Sequence, residues 1–419
     1  SEVAYFSLSP NNVRELVDED SVSSRRIIAL KEKPRTLLAT ILIANNFINI
    51  AIVVISDSIL KSIIGKETLA QIGDWLHGTF LSALFTTYQL ANGFNFLLTV
   101  VGVTFILVLG LTPVVRNYAI KKGRLDAPSA RKVHTVPTPR IGGHVFVPII
   151  LSSWAIYALT SPILQHQPKY ILSLLVSVTI LFVLGIADDF RDLSHRIKLP
   201  FQFLASGIVI YYWDLVPMDM GGVFGIQSLS SWWGWLLMLC FFQFTINALN
   251  YTDGVNGLLG GYALLVFGFL AIWGYSLKAI YLYPLLYLFC CGLLAFLLFN
   301  FRKSAKTFMG DGGSTVIGLI SSLMTARMIQ LNPHVELSLG PIEYNLPAFF
   351  VFVLLFWYPL FDSLQVYFRR ISRGKSPFVA DRGHFHHYVM ALTNKNHLAT
   401  SGLIIGITAL LVAGLLVSL

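Results

Sequence analysis

Residues 247–261 read NALNYTDGVNGLLGG. The apolar run SSWWGWLLMLCFFQFTI (230–246) precedes them, and a second apolar run begins at Leu258. Both runs are near the length of about 20 residues that a helix needs to cross hydrocarbon. Between them, three amides (Asn247, Asn250, Asn256), one carboxylate (Asp253) and two glycines (Gly254, Gly257) are packed together. Lipid cannot solvate such groups, so at a membrane boundary they point to a site. On a helix, Asn247 and Asn250 share a face at i, i+3. Gly254 and Gly257 are expected to let backbone approach a ligand. The competing reading is a helix end followed by a tight loop.

Outward from this stretch the whole chain reads the same way. Of its 419 residues, 55% are hydrophobic and only 12% are charged. A soluble domain carries about twice that charge. The expected fold class is all-α, a polytopic transmembrane helical bundle. Ten spans are expected near 94–111, 145–164, 170–187, 200–216, 230–248, 258–275, 280–299, 313–330, 346–366 and 401–419. One more is expected at Leu37–Ile55, interrupted by Asn45, Asn46 and Asn49. The three cysteines (Cys240, Cys290, Cys291) sit inside apolar runs, which argues against a disulfide or a cysteine metal site.

The net charge of +9 is unevenly placed. From residue 94 onward, with the loop after the 94–111 span on the cytoplasmic side, that face carries 19 Lys and Arg, and the other carries Lys169, Lys278 and Arg327. This asymmetry sets the orientation by the positive-inside rule and removes any need for a nucleic-acid partner.

Four further clusters fall on the basic face. The first is GRLDAPSARKVHTVPTPRIGG, with Asp126, Arg131, Lys132, His134 and Arg140, whose basic groups suit phosphate. In GIADDFRDLSHRIKLP, Asp188 and Asp189 end a span, where the helix dipole and mutual repulsion disfavour them unless a cation is near. In FMGDGGSTVIG, Asp311 suits a metal, and the helix N-terminal N–H groups suit a phosphate. SPFVADRGHFHHYV holds Asp381, Arg382, His384, His386 and His387, which fit an anionic leaving group at least as well as zinc. Hard-cation ligands plus phosphate-binding groups on one face point to phosphoryl chemistry at the bilayer surface.

From about residue 94 onward the chain resembles the polyprenyl-phosphate N-acetylhexosamine-1-phosphate transferase family (glycosyltransferase family 4 type). The resemblance rests on DAPSARKVHTVPTPRIGG, GIADDF, NALNYTDGVNGL, FMGDGGS and SPFVADRGHFHH in that order. The last motif is similar to the undecaprenyl-phosphate GlcNAc-1-phosphate transferase branch. The resemblance implies that a lipid phosphate attacks the sugar-bearing phosphorus of a UDP-sugar, expected to be UDP-GlcNAc, and that UMP leaves. It implies Mg²⁺, with Mn²⁺ as substitute, on Asp311 and Asn250. Asp188, Asp189 and Asp253 are then the catalytic acids. Asn247, Asn256, Arg131, Lys132, His134, Arg140, Arg382, His384, His386 and His387 bind substrate. Many members carry a second acid where this chain has Asn256, which brings metal affinity and sugar choice into question.

Residues 1–93 read differently. SEVAYFSLSPNNVREL and RTLLATILIANNFINIAIVV resemble the membrane domain of the CorC/CNNM family up to about residue 109, as a truncated, fused piece. The expected protein is thus an enzyme of the bacterial inner membrane, initiating envelope polysaccharide synthesis from its cytoplasmic face. Its partners are undecaprenyl phosphate and a UDP-sugar, with a homodimer allowed. The alternative is a divalent-cation transporter or channel.

Overall fold

The computed structural model describes residues 81–126, 137–161, 167–216, 222–226, 229–279, 281–302, 305–339, 342–374, 383–394 and 396–416. The expected span at 37–55 lies outside them. The chain divides into two compact units, Ser1–Ala91 and Asn92–Leu419. The helical bundle and its site belong to the second.

The helices in order are α1 (Leu81–Lys121), α2 (Gly142–Thr160), α3 (Pro168–Arg191), α4 (His195–Tyr212), α5 (Ser231–Tyr251), α6 (Leu258–Ser276), α7 (Tyr283–Asn300) and α8 (Asp311–Leu331). A hairpin follows, β1 (His334–Leu339) with β2 (Ile342–Pro347), then α9 (Phe349–Leu355), α10 (Trp357–Ser372), α11 (Phe385–Leu392) and α12 (His397–Leu416). The strands pair antiparallel, Glu336 opposite Asn345. The all-helical expectation missed this small hairpin; otherwise the described fold is a polytopic helical bundle.

Among the described residues, eight helices are long and apolar enough to span, or nine if α9 and α10 form one span bent by 77°. The difference from ten lies in α4. It starts at His195, and Arg196, Lys198 and Gln202 take up its first turns, which shortens its apolar part.

The centre of the bundle is α8. Every residue from Gly312 to Ala326 is buried, and α2, α3, α5 and α6 pack around it. Its apolar window is 83% buried, against 17% for α1, which lies at the edge. Within a bilayer, helices gain little from hiding apolar surface from one another, so close packing relies on small residues. Here a Cβ on Gly143 of α2 would come 2.3 Å from the Gly313 nitrogen, and one on Gly185 of α3 would come 2.4 Å from the Gly312 nitrogen. Only glycine lets both helices reach the start of α8.

Helix α10 reverses the usual amphipathic order. Phe361, Leu364, Phe368 and Ile371 are exposed, while Asp362, Ser363 and Arg370 are buried. Its apolar face suits lipid, and its polar face turns inward.

Candidate active site

The site forms around the first residues of α8. A helix start leaves backbone N–H groups without intrahelical partners. Here two carboxylates from other segments take them. Asp253, in the turn after α5, accepts from Met309 (3.2 Å) and Gly310 (2.7 Å). Asp189 of α3 accepts from Asp311 (2.9 Å) and Gly312 (3.2 Å). The expectation that these amides are free for phosphate is therefore corrected: they are occupied. Asp189 and Asp253, expected as catalytic acids, spend both oxygens on backbone and hold Asp311 in place. His144, with its Nε2 3.4 Å from Asp189, backs this arrangement.

Asp188 turns the other way. Its carboxylate accepts the Leu193 N–H at 2.6 Å and pairs with Lys198 of α4. The same ammonium lies 3.2 Å from Asp311. Two acids from α3 and α8 thus converge on one cation. Burial alone would lower the Lys198 pKa, but Asp311 and Asp188 outweigh it and the net shift is upward, so the lysine stays charged. Arg140 pairs with Asp126 at 3.1 Å. Burial again opposes its charge, yet Asp126, Asp311, Asp189 and Asp253 raise its pKa overall. Asn250 donates to Ser314 at 2.8 Å and also hydrogen-bonds Asp311.

This donor set fits Mg²⁺, which takes one or two carboxylates and fills its remaining positions with water and substrate phosphate. Asp188 and Asp311 already share a cation in Lys198, and Asn250 stands beside them as an oxygen donor.

Two other amides serve the scaffold. Asn247 donates to the Gln243 carbonyl (2.7 Å) and to Gln202 of α4 (3.2 Å). Asn256, 3% exposed, donates to the Arg302 carbonyl at 2.8 Å. Its expected place in substrate binding is corrected accordingly, because the amide is turned into protein. Gly257 does not approach a ligand either, since a Cβ there would meet the Phe301 ring at 2.1 Å; Gly254 faces open space. Asn256→Asp sets a carboxylate against the Arg302 carbonyl and removes the donor. It should cost about 1–3 kcal/mol, read as a lower thermal midpoint of the purified protein. An unchanged midpoint would remove this role from the amide.

The histidines gather at the start of α11. The His384 and His386 rings stack at 5.4 Å, and His386 and His387 stand 4.4 Å apart. His384 also packs on Tyr251 of α5 at 5.3 Å, next to Asn250, which ties this cluster to the acidic one. Behind it lies Asp362, with an oxygen 3.1 Å from His384 Nδ1. Arg131, Lys132, His134 and Arg382 lie outside the described residues.

Sequence reasoning passed over both Asp362 and Lys198 as site residues. The signal for Asp362 was present: it is one acid inside FFVFVLLFWYPLFDSLQVYF, and an ionisable residue inside a span points to function.

The profile of glycosyl transferase family 4 matches residues 171–329. An undecaprenyl-phosphate alpha-N-acetylglucosaminyl 1-phosphate transferase of Yersinia pestis is 30% identical over 291 residues, covering 68% of this chain and 74% of that protein. The chain belongs to glycosyl transferase family 4. The similarly named protein of Escherichia coli (strain K12) is 28% identical over 283 residues, 66% of this chain and 71% of that protein. The glycosyl transferase match contains Asp188, Asp189, Lys198, Asn250, Asp253 and Asp311; Arg140, Asp362 and the histidines lie beyond it. A second profile, the cyclin M transmembrane N-terminal domain, matches residues 1–122. It passes the expected limit near 109 and takes in all of α1, most of which belongs to the second compact unit.

Proposed function

We propose that this chain transfers an N-acetylhexosamine 1-phosphate, expected to be that of N-acetylglucosamine, from its UDP-sugar to undecaprenyl phosphate. A lipid phosphate oxygen bonds to the sugar-bearing phosphorus, the bond from that phosphorus to the bridging oxygen breaks, and UMP leaves with the electron pair. The observation that carries this reading is the convergence of Asp188 and Asp311, from two helices, on one cation.

Two anionic phosphates repel, and a site that joins them must supply positive charge and hold them in line. Arg140 and Lys198 provide fixed charge at the acidic cluster, and His384 and His386 extend the site toward the nucleotide. Asp188, Asp311 and Asn250 would hold Mg²⁺, which supplies Lewis-acid stabilisation of the phosphoryl oxygens. A phosphate monoester has a second pKa of about 6, so the nucleophile is ionised near neutrality without a general base. Asp189 and Asp253 keep Asp311 in position.

An apolar cavity of about 280 Å³ lies toward the far end of α8 from the acidic cluster, where it suits part of a polyprenyl chain. It is lined by Phe241 and Phe244 of α5, Ile329 of α8, Phe352 of α9, and Leu360 and Leu364 of α10. The basic loops support a cytoplasmic face for the site, in the inner membrane.

Purified protein given undecaprenyl phosphate, Mg²⁺ and a panel of UDP-sugars should release UMP, fastest with UDP-GlcNAc. Chelation with EDTA should reduce the rate to background, and Mg²⁺ or Mn²⁺ should restore it. Absence of UMP with every sugar would overturn the transferase reading. Full activity in EDTA would overturn the metal.

A further inference from the structure

We infer that Asp362 is a positioning residue, whose buried carboxylate fixes the His384 imidazole with Nδ1–H turned inward so that Nε2 is presented to the donor's diphosphate. This rests on the transferase reading for the identity of the ligand, but not for the proton arrangement.

Asp362 is 2% exposed. One carboxylate oxygen lies 3.1 Å from His384 Nδ1 and 3.5 Å from His386 Nδ1. The other accepts the Phe385 N–H, in the first turn of α11. The Tyr358 hydroxyl, also fully buried, stands 3.3 Å from His386 Nδ1. An ionised carboxylate only accepts hydrogen bonds, so the His384 nitrogen facing it carries a proton. That leaves Nε2 as the nitrogen available to a ligand, and protonation there makes a cation paired with Asp362. A buried acid without a partner would be costly, and the imidazole supplies one. Asp362 itself faces the histidines; His384 packs at a tilt on Tyr251, beside Asn250 at the acidic cluster. Oxygen and nitrogen atoms of Asp362, His384 and His386 also lie within 4.8 Å of one another, close enough to share a metal. The hydrogen bonds already account for that convergence.

Asp362→Asn decides the matter. The Asn oxygen can keep the Phe385 N–H, while its NH₂ faces Nδ1 and drives the proton to Nε2 in a neutral ring. With ¹⁵N-histidine labelling, and His384→Gln to assign the signal, Nδ1 of His384 should be protonated in the wild type and bare in Asp362→Asn. Bare Nδ1 in the wild type would overturn the inference, as would tightly bound zinc in the purified protein. In the UMP assay, kcat/KM for the UDP-sugar should fall about 10²-fold, with KM for undecaprenyl phosphate unchanged. Asp362→Asn should add no further loss to His384→Gln. An equal further loss in that background would give Asp362 a role apart from His384 and overturn the inference. Asp362→Glu, which keeps an acceptor, should recover part of the rate; a rate no better than that of Asp362→Asn would overturn it too. If the wild type releases no UMP with any sugar, the transferase reading fails, and the nitrogen signals still decide the role of Asp362.

Discussion

Asp311→Asn should lower turnover at least about 10³-fold and leave the bundle folded. The substitution is nearly isosteric, and the backbone N–H of residue 311, which donates to Asp189, survives it. What disappears is one of the two negative charges facing Lys198. On the proposed reading, a metal held at this point would supply several kcal/mol of charge stabilisation in the transition state. Each tenfold in rate is about 1.4 kcal/mol, so losing about 4 kcal/mol sets the stated floor. UMP release at saturating substrates measures it, with circular dichroism reporting helix content. Turnover above about a tenth of wild type would remove Asp311 from the metal.

Gly185→Ala should be nearly as damaging, although residue 185 carries no chemistry. Its new methyl would lie 2.4 Å from the nitrogen and Cα of Gly312, and 2.5 Å from the carbonyl carbon of Asp311. These are backbone atoms, so no side chain can swing aside. Helices α3 and α8 would have to part by about 1 Å. Overpacking of this kind costs about 1–3 kcal/mol. A displacement of about 1 Å at a reacting group costs about 10²-fold in rate. It would also stretch the Asp189 contacts to Asp311 and Gly312, which are 2.9 and 3.2 Å now. The expected result is a turnover loss of about 10²-fold with a modest drop in thermal midpoint. Wild-type turnover in Gly185→Ala would show that the site tolerates movement of α8.

Much of the bundle was legible because spanning helices are continuous apolar runs: nine of the ten expected runs fall on a single helix, and the run at 346–366 falls on the bent pair α9 and α10. Two local departures came from chemistry that hydropathy averages away. In α4 the charged first turn lies too close to the apolar part. In α9 and α10, Phe356 and Pro359 sit near a sharp bend that composition does not announce. The hairpin at 334–347 is short and sits between two long helices.

The site was legible as a set of residue types and much less as a set of partners. Asp188 and Asp189 are adjacent in sequence and face opposite duties: one meets an ammonium, the other meets backbone amides 122 and 123 positions away. Motif spacing carries no information about contacts between distant segments. Asn256 illustrates the same limit. Set beside an expected acid it reads as altered chemistry, whereas its amide is a donor to Arg302. Asp362 lies within an apolar stretch, away from the helix ends where the other acids of the site cluster.

The grip of Asp189 and Asp253 on four successive amides has an outcome for assembly. Residue 311 is aimed only when α3, the turn after α5 and the start of α8 have all docked. A half-built bundle therefore lacks an aimed Asp311 carboxylate. Docking of these three segments and completion of the acidic cluster become a single event.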